Sequence, residues 1–301
     1  MIKANARPVY FGLEAGGTKC VCLAAEGPER VLAERVIPTA TPAETLAQAA
    51  AFFAGLKIVP AACGIASFGP IHADRSDPAF GRIAVTPKPG WSGADMLSVF
   101  QGFACPKGFD TDVVGAALAE QVWGAGQGER HLAYLTIGTG IGLGVLDNGK
   151  PVAGAAGLEF GHLRPQRAAG DVFAGLCPFH GDCFEGLASG PAIKARSGAS
   201  LSELAPNDPA HALEADYLAQ LCAALVFAHA PGRILLGGGV MQTPGLLAQV
   251  RMRLGPLLGG YCQYPQVQDP ARFVQAPALG NRAGALGAVA LALAMAMAAE
   301  A

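Results

Sequence analysis

A chain of 301 residues is long enough for one large domain or two modest ones, with roughly three-quarters of its foldable surface buried. Charged residues at 15% against 51% hydrophobic exclude a disordered polymer. A net charge of −2 excludes a broad basic surface, so neither nucleic acid nor an anionic membrane is an expected partner. The 41 glycines and 8 cysteines stand out against that background.

Met1 to Pro8 carry positive charge with no apolar stretch behind it, so no export signal is expected and the location is read as cytoplasmic. In that setting the thiols are expected free or metal-bound. Residues 9–13 and 19–24 read as strands around a tight Gly16-Gly17 turn, and 43–56 as a helix entered through Thr41-Pro42. A buried strand is expected at 61–66, then a helix at 113–123 entered through Asp112 and ended by the glycine-rich stretch 124–128. Residues 133–137 and 143–146 form the next strand pair, 151–190 read as loop, and 211–228 return to helical spacing. A short strand at 233–236 runs into Gly237-Gly238-Gly239. Residues 283–299 carry no charge, but they are mostly alanine and short of a comfortable span of about 20, so they read as a buried helix. Strand-like and helix-like segments alternate, which argues for an α/β class.

The chain resembles itself. Strand, glycine-threonine turn and returning strand occur at 9–24 and again at 133–147, with turns Glu14-Ala15-Gly16-Gly17-Thr18 and Gly138-Thr139-Gly140-Ile141-Gly142. This suggests a duplicated fold with a cleft between its halves, the 124–128 stretch serving as boundary. Glycine turns expose backbone N–H groups that can cradle phosphate. The first is no Walker loop, because Thr18 precedes Lys19 and a strand follows. The second is no Rossmann fingerprint, because Leu143 stands where the third glycine would be.

His162, Cys177, His180 and Cys183 have the ligand types and spacing of a zinc site. Four protein ligands leave no open position, so a structural role is expected, and Glu159 and Glu185 lie where the stapled loop would hold them. Asp112 has two readings that can hold together: a helix cap, or a general base for phosphoryl transfer to a hydroxyl.

GLEAGGTK at 12–19, SFGP at 67–70, TPKPGW at 86–91, TDV at 111–113, TIGTGIG at 136–142, EFGH at 159–162, CPFHGDCFEGLASGP at 177–191, LGGGVM at 236–241 and LGNRAG at 279–284 occur in that order. Together they resemble the ROK family of bacterial sugar kinases, and its zinc-containing fructokinases in particular. The resemblance implies an α/β, actin-like (ribonuclease H-like) duplicated fold. A smaller domain would span 1–120 with the C-terminal helix 285–301, and a larger one 121–284. It also implies ATP with Mg2+, a structural Zn2+, fructose or a related hexose as acceptor, and a homodimer. Asp112 would be the catalytic base. Gly69, Glu159, His162 and Glu185 would serve the sugar, and Glu14 would act near magnesium through water. Gly16, Gly17, Thr18, Lys19, Gly138, Thr139 and Gly140 would hold phosphates, with Gly238 and Gly239 on the adenosine side. Val114 stands where the family often has asparagine. The alternatives are a ROK kinase for glucose, mannose or an N-acetylated amino sugar, and a non-catalytic sugar sensor. A sensor would need an N-terminal helix-turn-helix for which the start at residue 12 leaves no room.

Overall fold

The computed structural model describes residues 7–152, 154 and 156–300; residues 1–6, on which most of the N-terminal reading rests, lie outside it. The chain begins with β1 (Tyr10–Ala15), β2 (Lys19–Gly27), β3 (Arg30–Pro38), α1 (Pro42–Gly55), β4 (Ala62–Ser67), β5 (Lys107–Thr111) and α2 (Asp112–Trp123). Then come β6 (His131–Ile137), β7 (Ile141–Asp147), β8 (Lys150–Pro151), α3 (Phe184–Ala188), α4 (Gly190–Ser197) and α5 (Pro209–His229). The last elements are β9 (Arg233–Gly237), α6 (Leu246–Leu258), α7 (Pro270–Phe273), β10 (Val274–Gln275) and α8 (Ala283–Glu300). These divide into two units: one takes in residues up to Trp123 and from Asn281 onward, the other 124–152 and 158–280.

Each unit has one five-stranded sheet, and the two sheets have the same topology. The first runs β3-β2-β1-β4-β5 and the second β8-β7-β6-β9-β10. In each, the first three strands in sequence form an antiparallel meander, and the last two lie parallel to the first. The two glycine-turn hairpins seen in the sequence are therefore the leading hairpins of a whole repeated sheet. Strand β3 escaped the sequence reading because it is an edge strand, exposed along most of its length, with no buried apolar run to mark it. Helix α6 was also missed, although Leu246, Val250, Leu254 and Leu258 place one buried residue per turn along it.

In the first unit, period-2 alternation splits β1 between two layers. Phe11 packs on Phe53 of α1 with ring centroids 5.0 Å apart, and Leu13 and Ala15 join that same core. Gly12 and Glu14 face the opposite side, where α8 lies. Gly12, Gly64 and Gly108 stand directly opposite one another across β1, β4 and β5. A Cβ would lie 2.9 Å from Val289 N at Gly12, 2.0 Å from Ala288 O at Gly64 and 2.8 Å from Leu291 O at Gly108. The three glycines form a groove in which the α8 backbone touches the sheet. On the flank of α8, Gly287 meets Gly115 of α2, where a Cβ would come within 2.5 Å of the Gly115 carbonyl carbon. Residues Gly280–Glu300 are long and apolar enough to cross a membrane by length and composition, but Ala283 to Ala292 are largely buried in this groove. That agrees with the reading as a core helix.

Gly64→Ala is therefore expected to destabilise the protein by roughly 3 kcal/mol or more. Gly102→Ala, where a Cβ meets nothing within 4 Å, should stay within about 1 kcal/mol of the parent. Urea denaturation of the two variants checks this.

Candidate functional site

The parallel strands β1, β4 and β5 end at one edge of the first sheet, with Glu14 opposite Ala66, Ala66 opposite Asp110, and Ser67 opposite Thr111. Ligands in open α/β sheets bind outside such carboxyl ends. Directly beyond them lie the turn Gly16-Gly17-Thr18, exposed Gly69, and Asp112. Phe68 N–H donates to Ala15 O at 2.8 Å, which holds Gly69 beside the turn.

The turn is built to point its amides outward. Gly16 N–H donates to Lys19 O at 3.0 Å, and a Cβ at Gly16 would lie 2.7 Å from that oxygen, so only glycine fits. All three turn carbonyls are occupied. The Thr39 hydroxyl donates to Gly16 O at 2.8 Å, Lys88 Nζ to Gly17 O at 2.5 Å, and Thr39 N–H to Thr18 O at 2.9 Å. Among the described residues, the N–H groups of Gly17 and Thr18 have no protein acceptor. Two exposed amides with their carbonyls tied back have the arrangement of a nest, a geometry that favours an anion.

The start of α2 separates the two readings of Asp112. Thr111 Oγ1 accepts the Val114 N–H at 3.2 Å, so Thr111 is the residue that caps the helix. Asp112 accepts the adjacent Val113 N–H at 3.0 Å and its own backbone N–H, neither of them the bond of a helix cap, so its carboxyl does not serve as the cap. Burial pushes Asp112 up to about 6, against the pull of the Val113 N–H. Asp110, which accepts the Thr111 N–H at 2.7 Å, is likewise raised by burial to about 6. Glu14 rises to about 7, first by burial and then through the charge of Asp112, with Lys19 pulling the other way. Its carboxylate rests against Gly284 at the start of α8, where a Cβ would come within 2.0 Å of Oε1. The helix N-terminus favours negative charge there, yet burial dominates.

In the second unit, Gly138 N–H donates to Gly140 O at 2.9 Å to close the turn between β6 and β7. Glu185 braces it, accepting the Ile141 N–H on Oε2 at 3.0 Å. Gly190 N–H at the start of α4 donates to Gly138 O at 2.8 Å, and Thr139 is exposed. Gly238 has φ +92°, and a Cβ there would lie 2.3 Å from Ile137 O, so its glycine serves the junction of β9 and β6. Gly239, with nothing within 4 Å, is open.

The cysteine-histidine set converges. Cys177 Sγ lies 3.8 Å from His162 Nδ1 and 3.7 Å from His180 Nδ1, and Cys183 Sγ lies 3.7 Å from His162 Nδ1. One ligand atom from each of the four residues falls within 4.8 Å of all the others. Tetrahedral zinc with bonds of about 2.0–2.3 Å places its ligand atoms roughly 3.3–3.8 Å apart, so the donor set fits that ion. Without a cation, burial pushes the Cys183 thiol up to about 11. The loop is braced by residues the sequence did not flag. Arg167 donates to Asp171 O and Phe173 O and lies 3.4 Å from Asp182, while the Tyr217 hydroxyl donates to Asp171. Glu159, next to the His162 turn, is raised by loss of solvent and by Glu185, with His162 opposing.

The sequence-predicted residues thus form two groups, each assembled within its own unit. Glu14, Gly16–Lys19, Gly69 and Asp112 belong to the first; Gly138–Gly140, Glu159, Glu185, the metal cluster and the Gly238-Gly239 turn belong to the second. Thr111 and Asp110 were missed in their roles. Thr-Asp at a helix start offers two good caps, and sequence alone does not choose between them.

A duplicated sheet of this order is the actin-like fold of the sugar kinases. The crystal structure of a ROK hexokinase from Thermus thermophilus matches 97% of this chain and 100% of its own, with a TM-score of 0.76 and 27% identity. Residues 10–295 match the ROK family, and the chain belongs to it. A fructokinase of Zymomonas mobilis is 44% identical over 300 residues, covering 96% of this chain and 98% of the relative. A fructokinase of Pediococcus pentosaceus is 38% identical, covering 93% and 96%.

The raised Glu14 carboxyl has a consequence for stability. A folded-state value of about 7 against an ordinary 4.5 means the folded protein holds that proton more tightly, so stability is lost as pH rises between those values. Glu14→Gln should therefore stabilise the protein by on the order of 1–3 kcal/mol near pH 8 and by almost nothing near pH 4. Urea titrations at the two pH values measure the difference.

Proposed function

We propose that this chain is an ATP-dependent fructokinase that transfers the γ-phosphoryl group to the 6-hydroxyl of fructose, with Asp112 as general base. The observation that carries the substrate is the 44% identity to a named fructokinase over almost the whole of both chains. For the base, the support is a half-buried carboxyl that does not cap its helix, at the carboxyl end of a parallel sheet, raised to about 6 and so ionised near neutral pH while still basic.

In this reading, Asp112 takes the O6 proton as the bond from O6 to Pγ forms and the bond from Pγ to the bridging oxygen breaks, leaving ADP. The Gly17 and Thr18 amides offer their N–H groups to phosphoryl oxygens. The Gly138–Gly140 turn, kept in shape by Glu185, is a second loop suited to nucleotide phosphates. Glu14 is the acidic group that would meet the water shell of the magnesium brought in with ATP, an ion that would supply charge neutralisation to the phosphate oxygens. His162, Cys177, His180 and Cys183 would hold zinc with no position open to substrate. The ion would fasten the loop that carries Glu159 and Glu185 toward the sugar. A cytoplasmic location and a homodimer belong to the same reading.

A coupled ADP-release assay across fructose, glucose, mannose and N-acetylated amino sugars should give fructose the highest kcat/KM. A higher value on another hexose overturns the substrate. Asp112→Asn should lower kcat by about 10²–10⁴-fold with fructose still bound. Retention of more than a tenth of the parent rate would show that another group is the base. The acid limb of kcat/KM should fall near the raised value of about 6, well above the ordinary 3.8 of an aspartate. Metal analysis should find about one zinc per chain, lost together with thermal stability in Cys183→Ser.

A further inference from the structure

Lys88 has no part in the mechanism above, yet its surroundings are those of a substrate-facing cation. The segment that carries it is pinned at both ends. Trp91, fully buried, donates its indole N–H to Ala40 O at 3.1 Å, and the Thr86 N–H donates to the Ser92 hydroxyl at 3.1 Å. Between them the half-buried Lys88 side chain reaches across to the first glycine turn. Its ammonium donates to Gly17 O at 2.5 Å and lies 5.9 Å from the centroid of the Phe68 ring. An ammonium has three N–H donors, and the Gly17 carbonyl takes one. Among the described residues no carboxylate lies within salt-bridge distance of it. A positive charge that is partly desolvated and without a counter-ion stands beside two outward-facing amides. All three features favour an anion.

We infer that Lys88 is a catalytic residue whose ammonium touches an oxygen of the transferred γ-phosphoryl group. The inference rests on reading the Gly16-Gly17-Thr18 turn as a phosphate loop. The turn follows β1 and Asp112 follows β5, with only β4 between them, a separation of about 10 Å. That leaves room for an acceptor hydroxyl and one phosphoryl group, which makes the γ-phosphoryl the group nearest Lys88. The bond to Gly17 O also holds the turn carbonyl back, so the one side chain supplies charge and keeps the nest open.

Glutamine at this position retains a donor for the Gly17 carbonyl and removes the charge. Lys88→Gln in the full chain should lower kcat by about 10²–10³-fold, with fructose and ADP affinities within about threefold of the parent. Lys88→Arg should recover at least about a tenth of the parent kcat. Calorimetry should also show that Lys88→Gln loses the preference of the parent for a non-hydrolysable ATP analogue over ADP. The inference is overturned if Lys88→Gln keeps more than a third of kcat, or if ADP and fructose binding fall together with thermal stability. A parent chain that releases no ADP with any hexose would sink the fructokinase reading alone. The analogue-over-ADP comparison then still decides Lys88: preference lost in Lys88→Gln supports it, and preference unchanged refutes it.

Discussion

The first unit depends on one steric condition: the α8 backbone must touch the face of a β-sheet. Side chains normally keep a helix about 10 Å from a sheet, and here three glycines in register remove them. Gly12, Gly64 and Gly108 clear a groove across β1, β4 and β5, and Gly115 on α2 clears its flank. The alanine-rich sequence of α8 suits the same condition, since a thin helix fits a shallow groove. Because Gly12 and Glu14 share one face of β1, the seating of α8 also sets where Glu14 ends, against Gly284 at the first turn of the helix. Packing and electrostatics at this edge therefore have one origin.

One stretch of the second unit reaches order by different means from the hydrophobic core around it. Its loop-rich stretch has few apolar residues with helical or strand period, so hydrophobic burial alone does not fix it. Thiol and imidazole groups converge there, and Arg167 and Asp171 brace the loop behind them. Burial pushes Asp171 up, but the Tyr217 hydroxyl, the Phe173 N–H and the guanidinium groups of Arg196 and Arg167 pull it below the usual carboxylate range. The carboxylate thus stays charged where the loop needs an anchor. Glu185 then passes the loop geometry to the Gly138–Gly140 turn through a single hydrogen bond to Ile141.

Much of this was legible in the sequence, for physical reasons that differ from element to element. Hairpins β1–β2 and β6–β7 carry long buried runs interrupted by glycine turns, and the ligand spacing of the metal loop is distinctive in a chain with 6 histidines. The glycine excess was legible only in part. It read as nucleotide-facing turns, but Gly12, Gly64, Gly108, Gly115 and Gly287 serve contacts between distant segments, and no local pattern marks such a contact. The choice of Thr111 over Asp112 as cap was illegible for a narrower reason. Aspartate is the stronger N-cap by propensity, and the register that nevertheless makes Thr111 the cap follows from the pairing of β5 with β4. Lys88 stood in a quoted motif without a role, because its partner, the Gly17 carbonyl, is 71 positions away.

The groove that receives α8 also bears on how the chain is made. Its walls come from residues 12 to 115, and its occupant begins at Ala283. At synthesis rates of about 5–20 residues per second, the ribosome needs on the order of ten to thirty seconds to get from Gly115 to Ala283. Throughout that interval the glycine-lined groove of the first sheet lacks α8, with only α2 at its flank, while the second unit can close on itself. The half that is translated first is therefore the half completed last, and until then its sheet lacks the helix that fills the groove.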